Sequence, residues 1–254
     1  MKGTRIALSL EALHVSGRKG VAWLIDPDEV DSVENFTRQL KEAISLKVDF
    51  FFLGGSLMLQ NRIDQIISLI KTHTTIPVIL FPGNVIQFSP LADGILFLSL
   101  ISGRNPELLI GQHVTIAPLL AKADLEVLPT GYMLIDGGLT TSVNYISQTI
   151  PLPNSKPELS VATALAGRYL GLRYFYLDAG SGAQEPVSPE IIQAVKKHIA
   201  APLIVGGGLN TIQKVKTAFK SGADLVVIGN AANKGSGLLK ETCHYLESLR
   251  ILAN

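Results

Sequence analysis

The chain has 254 residues, close to the size of one α/β barrel, with 47% hydrophobic and 17% charged residues. That balance excludes a disordered chain, and a formal net charge of +1 leaves no electrostatic footprint for nucleic acid. A lone cysteine, Cys243, makes no internal disulfide; no apolar signal core follows Met1, and no uncharged apolar run has transmembrane length, so a cytoplasmic protein is expected.

In chain order, a short apolar run, a turn rich in Gly, Pro or Asp and a helical stretch recur. The first strand spans 21–25 and ends at Asp26-Pro27-Asp28. Phe36, Leu40, Ala43 and Ile44 at helical spacing predict a helix over 33–46. A strand over 50–53 ends at Gly54-Gly55-Ser56, and a helix over 63–71 follows. The third strand, 77–81, is closed by Pro82-Gly83-Asn84, and the fourth spans 94–98. A helix over 106–114 starts with Pro106 in its first turn. Then come a strand over 132–135, a helix over 157–170, and strands over 174–177, 203–205 and 225–228. Helices over 189–198, 212–220 and 238–249 follow those last three.

Continuous apolar strands alternating with helices imply a parallel sheet covered on both faces. Eight units in an undivided chain, 1–254, predict a single (β/α)₈ TIM barrel. An open doubly wound sheet is the alternative, because strand order is not readable from sequence. Only residues 82–93 separate the third and fourth strands, and Pro82, Gly83 and Pro90 break them. A regular third helix is therefore not expected. The opening, lined by Val85, Ile86 and Phe88, is either a short loop or a door for an elongated apolar ligand.

In this fold the loops after the strands carry the active site. Asp178-Ala179-Gly180-Ser181-Gly182 follows the sixth strand, Gly206-Gly207-Gly208 the seventh and Gly229-Asn230 the eighth. Glycine lets backbone N–H groups converge on an oxyanion, so the three clusters together predict a phosphate grip. Asp26, Asp28 and Ser56 follow the first two strands, where carboxylate and hydroxyl oxygens suit Mg²⁺. Asp28 is expected to cap the first helix, while Asp26 points nearer the barrel mouth. Asp224 precedes its strand and belongs to the opposite, stability face. None of the five histidines follows a strand, and no lysine lies within one; a histidine metal site and a Schiff-base aldolase are both disfavoured.

Taken together, Ile25-Asp26-Pro27-Asp28, Leu53-Gly54-Gly55-Ser56, Phe81-Pro82-Gly83-Asn84, Ser102-Gly103-Arg104-Asn105-Pro106, Tyr176 to Gly182, Val205 to Gly208 and Gly229-Asn230 resemble the geranylgeranylglyceryl phosphate synthase family, in its archaeal and Bacteroidetes-type branch. The resemblance implies an Mg²⁺-dependent prenyl transfer from geranylgeranyl diphosphate to sn-glycerol 1-phosphate, in ether-lipid synthesis, on a barrel without the ordinary third helix. It implies Asp26 and Ser56 as Mg²⁺ ligands. It assigns Tyr132, Tyr176, Leu177, Asp178, Ala179, Gly180, Ser181, Gly182, Gly207, Gly208, Gly229 and Asn230 to glycerol phosphate. Asp178 would accept the alcohol proton, in a position where the family often has glutamate. Leu24 stands where some members have a phosphate-binding lysine. A homo-oligomer, dimer or hexamer, and peripheral membrane contact are further expectations. Two other readings stand beside this one: a phosphosugar isomerase or lyase using Asp26 and Asp178, and a barrel that binds phosphate ligands or FMN without prenyl chemistry.

Overall fold

Side chains on a strand alternate between its two faces, so a closed barrel sorts every strand into an inward and an outward set. The computed structural model describes residues 5–229 and 237–252. It shows β1 (Gly20–Ile25), β2 (Phe50–Leu53), β3 (Val78–Leu80), β4 (Gly94–Leu100), β5 (Glu126–Leu134), β6 (Tyr174–Asp178), β7 (Leu203–Gly206) and β8 (Leu225–Gly229). All pair in parallel and in order, and β8 pairs back onto β1 to close the barrel. Inward side chains such as Phe50, Phe52, Leu96, Leu128, Tyr174 and Tyr176 form one core. Outward ones such as Trp23, Phe51, Phe175, Leu177 and Val226 form a second, larger core under the helices. Both faces of most strands are dry, with Val127 of β5 an exposed exception, which is why those strands read as unbroken apolar runs.

In chain order the helices are α1 (Arg5–Ser16), α2 (Val33–Ser45), α3 (Ile63–His73), α4 (Gln112–Leu120), α5 (Ser142–Ser147), α6 (Pro157–Tyr169), α7 (Pro189–His198), α8 (Ile212–Lys220) and α9 (Gly237–Leu252). Most match the sequence reading to within three residues, with α7 and α8 matching it at both ends. The connection from β3 to β4 holds only a single 3₁₀ turn, Val85–Gln87, so the regular third helix is indeed missing.

Three expectations need correction. Residues 5–16 form a helix that the sequence reading left unassigned. Ile6, Leu10 and Leu13 of α1 join the inward core and close the barrel at the N-terminal ends of the strands. The Glu126 carboxylate accepts from the Ile6 and Ala7 N–H groups at 2.9 Å each, so a side chain from β5 caps α1. Second, β5 starts at Glu126 instead of Tyr132. Pro129 and Gly131, both poor strand formers, lie within it; Pro129 pairs with Phe97, and its carbonyl accepts from the Arg173 N–H at 3.0 Å. Third, the helix expected over 106–114 is a π turn, Glu107–Gly111, running into α4.

Asp224 lies at the barrel base, as its position before β8 requires. It is buried, accepts from the Leu203 N–H at 2.8 Å and pairs with Lys196 and Lys19. Leu10→Ala would open a cavity beneath the barrel without touching its mouth. The expected result is a stability loss of about 2–5 kcal/mol. Thermal denaturation checks it, with turnover unchanged well below the melting temperature.

Candidate active site

The mouth is built by inward positions at the C-terminal strand ends. Asp26 continues the inward series of Ala22 and Leu24, and Asp178 that of Tyr174 and Tyr176. One cavity of about 510 Å³ collects Asp26, Ser56, Tyr132, Tyr176, Asp178, Ser181, Gly182, Gly207, Gly208 and Gly229. Leu24 lines it too, so the position where the resemblance gives some members a lysine is apolar here.

At one end, Asp26 caps the short turn Pro27–Glu29, with Oδ1 accepting from the Asp28 N–H at 3.0 Å. Burial raises its pKa above the ordinary value, and that N–H partly opposes the rise. A Cβ on Gly55 would stand 2.8 Å from Asp26 Oδ2, so glycine keeps open the space beside the carboxylate. Asp28 corrects an expectation. Its carboxylate accepts from the N–H groups of Leu59 (2.6 Å) and Gln60 (3.2 Å), tying down the loop after β2. Ser32 caps α2 in its place, accepting from the Asn35 N–H at 3.1 Å.

At the other end, Asp178 is buried. Its Oδ2 accepts from the Tyr132 hydroxyl at 2.5 Å and its Oδ1 from the Gly180 N–H at 2.8 Å. Burial pushes this carboxyl up, and the two donors pull the other way. Burial also holds Tyr132 and Tyr176 well above the ordinary phenol value, so both stay neutral. Phe81 stacks on Tyr176 at 5.2 Å and meets Tyr132 edge-on at 6.0 Å, giving the cavity an aromatic floor. Gly207 has φ +74°, and a Cβ there would stand 2.5 Å from both Asp178 Oδ1 and the Gly180 nitrogen. Only glycine lets the β6 and β7 loops meet this closely.

The same cavity has an apolar arm that the sequence reading missed. Leu98, Leu100 and Leu108 line it from β4 and the π turn, and Val143 and Ile146 from α5. A smaller cavity of about 50 Å³ lies beside it under the missing helix, lined by Val85, Phe88, Phe97 and Ile116. Ile86, expected to line that opening, is instead exposed. His113 borders both cavities, edge-on to Phe97 at 4.4 Å, with its Nδ1 unpartnered.

The sequence model of the PcrB family matches residues 16–243, nearly the whole chain. The chain belongs to the PcrB family. Geranylgeranylglyceryl phosphate synthase of Spirosoma linguale is 50% identical over 232 residues, covering 91% of this chain and 93% of that protein. Its counterpart in Pyrococcus horikoshii is 40% identical, covering 89% and 88%. The crystal structure of the Thermoplasma acidophilum synthase in complex with sn-glycerol-1-phosphate superposes with a TM-score of 0.86 at 30% identity, covering 94% of this chain and 97% of that one. Matched along nearly their whole length by enzymes of that name, this PcrB-family member is a transferase.

Not every residue that the resemblance assigned to glycerol phosphate reaches the cavity of this PcrB-family barrel. Leu177 and Ala179 lie in the outward core, because the residues on either side of Leu177 point inward. The Gly180 N–H is already bonded to Asp178. Asn230 lies outside the described residues. Sequence reasoning also missed Gln87. Buried under the mouth, it accepts from the Gly55 and Gly83 N–H groups at 3.2 and 3.1 Å and donates to the Gly55 carbonyl at 2.8 Å, joining the β2 and β3 loops. Its one sequence signal is a lone amide within Val85-Ile86-Gln87-Phe88.

Proposed function

We propose that this chain joins the 3-hydroxyl of sn-glycerol 1-phosphate to the allylic carbon of geranylgeranyl diphosphate, releasing diphosphate. The observation that carries this reading is a single cavity with three chemistries: the Asp26 and Ser56 oxygens, the glycines after β6 and β7 with Gly229 at the end of β8, and an apolar arm beside the missing helix. A phosphosugar isomerase has no use for that arm.

Asp26 and Ser56 would hold Mg²⁺. The space Gly55 leaves beside Asp26 supports this, as does the donor set, since Mg²⁺ takes few protein oxygens when phosphates supply others. Among the described residues no three His, Cys, Asp or Glu side chains gather as a metal cage, which suits an ion shared with substrate. When bound, Mg²⁺ offsets the charge on the departing diphosphate. The chain's own residues do the rest. The loops after β6 and β7, with Gly229 at the end of β8, hold the phosphate of the acceptor, and the apolar arm aligns the prenyl chain, which supplies the orientation term. The glycerol oxygen bonds to the allylic carbon as the carbon–diphosphate bond breaks, its electron pair leaving on diphosphate. The hydroxyl proton passes to Asp178.

No helix among the described residues is long and apolar enough to cross a membrane. Exposed Tyr145, Ile150, Tyr169 and Leu170 support self-association. The test incubates the protein with Mg²⁺, radiolabelled sn-glycerol 1-phosphate and prenyl diphosphates of several lengths. Label is expected to move into an organic phase with geranylgeranyl diphosphate, and EDTA is expected to stop it. Folded protein that binds glycerol phosphate but transfers no prenyl chain would overturn the reading.

A further inference from the structure

A buried carboxylate that must work as a base needs help to stay ionised, and Asp178 finds it in a neighbouring strand. The side chain is only 7% exposed. Tyr132 faces it from β5, Tyr176 from its own strand, and the adjoining β7 end, Gly206-Gly207, carries no titratable side chain. Among the described residues no cation contributes to its charge balance. One oxygen is held by a backbone N–H and the other by the Tyr132 hydroxyl at 2.5 Å. The phenol is itself fixed, edge-on to Phe81 and 5.5 Å from the Tyr176 ring.

We infer that Tyr132 is the positioning residue for Asp178: its hydroxyl locks the carboxylate, ionised, in the orientation that accepts the glycerol proton. The inference rests on the prenyl-transfer reading and adds a role to it. An aspartate reaches one methylene less far than a glutamate, so its direction matters more, and the Tyr132 hydroxyl sets that direction. Tyr132 was expected to touch glycerol phosphate; here its donor is directed at the carboxylate instead.

The sign follows from the geometry. The working form of Asp178 is the anion. Removing the Tyr132 donor leaves burial less opposed, so the carboxyl pKa rises further and a larger fraction is protonated at low pH. Tyr132→Phe is therefore expected to move the acid limb of kcat/KM upward by about one to two pH units, the scale of a hydrogen bond to a charged group. Activity falls about tenfold or more below the limb and recovers as pH rises. Placing 3-fluorotyrosine at position 132, a stronger donor of nearly the same shape, is expected to move the limb downward. A merely structural tyrosine does not shift the limb in opposite directions. Asp178→Asn separates the two layers. If it turns over normally, the proton-acceptor reading fails, and the role of Tyr132 fails with it. If it is dead while both Tyr132 variants keep the wild-type profile, or lose activity equally at every pH, Tyr132 alone loses its assignment. Should Tyr132→Phe not fold, the fluorotyrosine protein still decides.

Discussion

Asp26→Ala is expected to abolish prenyl transfer, a loss of about a thousandfold or more, while glycerol phosphate still binds. The magnitude follows from losing several kcal/mol of charge stabilisation on the leaving group. The substitution also removes the cap on Pro27–Glu29, since Asp26 Oδ1 accepts from the Asp28 N–H. That cap is worth about 1 kcal/mol, too little to explain a dead enzyme in a barrel of this size. Asp26→Asn separates the two roles, because an amide oxygen keeps the cap and loses the charge. It is expected to melt like the wild type and to be as inactive as Asp26→Ala. Turnover across an Mg²⁺ titration, with thermal denaturation alongside, checks both. Full activity in Asp26→Asn would remove the charge of Asp26 from the mechanism.

Gly207→Ala should fail at the opposite end of the cavity. The new methyl would lie 2.5 Å from Asp178 Oδ1 and the Gly180 nitrogen and 2.6 Å from the Ala179 nitrogen. These are backbone atoms and a pinned carboxylate, which have no free rotation by which to yield. The left-handed φ of +74° adds about 1–2 kcal/mol for any residue with a Cβ. The β6 and β7 loops must then part, and the glycine surface proposed to hold phosphate opens. We expect affinity for sn-glycerol 1-phosphate to fall about a hundredfold or more, with a lower melting temperature. Isothermal titration and thermal denaturation read the two effects. Wild-type affinity would mean that the phosphate is held elsewhere on the mouth.

These two variants probe the parts of the site most legible beforehand. Asp26 and Asp178 were identifiable because each directly follows an apolar run, and Gly207 because it belongs to one of three glycine clusters after consecutive strands. The apolar arm was not legible. Leu98, Leu108 and Val143 come from three separate segments, and nothing local distinguishes a leucine that lines a cavity from one that fills a core. Leu177 was assigned to glycerol phosphate by a motif, and strand alternation turns its side chain outward.

By itself the sequence determined the eight-fold alternation of strand and helix and the loss of the third helix, while the strand order and the closure of the sheet came from the tertiary structure. The period of its apolar residues, eight strand signals and the proline-broken stretch 82–93 all record local backbone preferences, which short-range sterics and burial decide. Only the tertiary structure decided what α1 does, what Gln87 and Asp28 hold together, and which atom faces Asp178. Each of those contacts joins residues far apart in the chain, such as Glu126 to Ile6 and Tyr132 to Asp178, apart from the local bonds of Gln87 and Gly180. Barrel closure brings those distant partners together, because it fixes at once which strand ends are neighbours and which of their side chains point into the mouth.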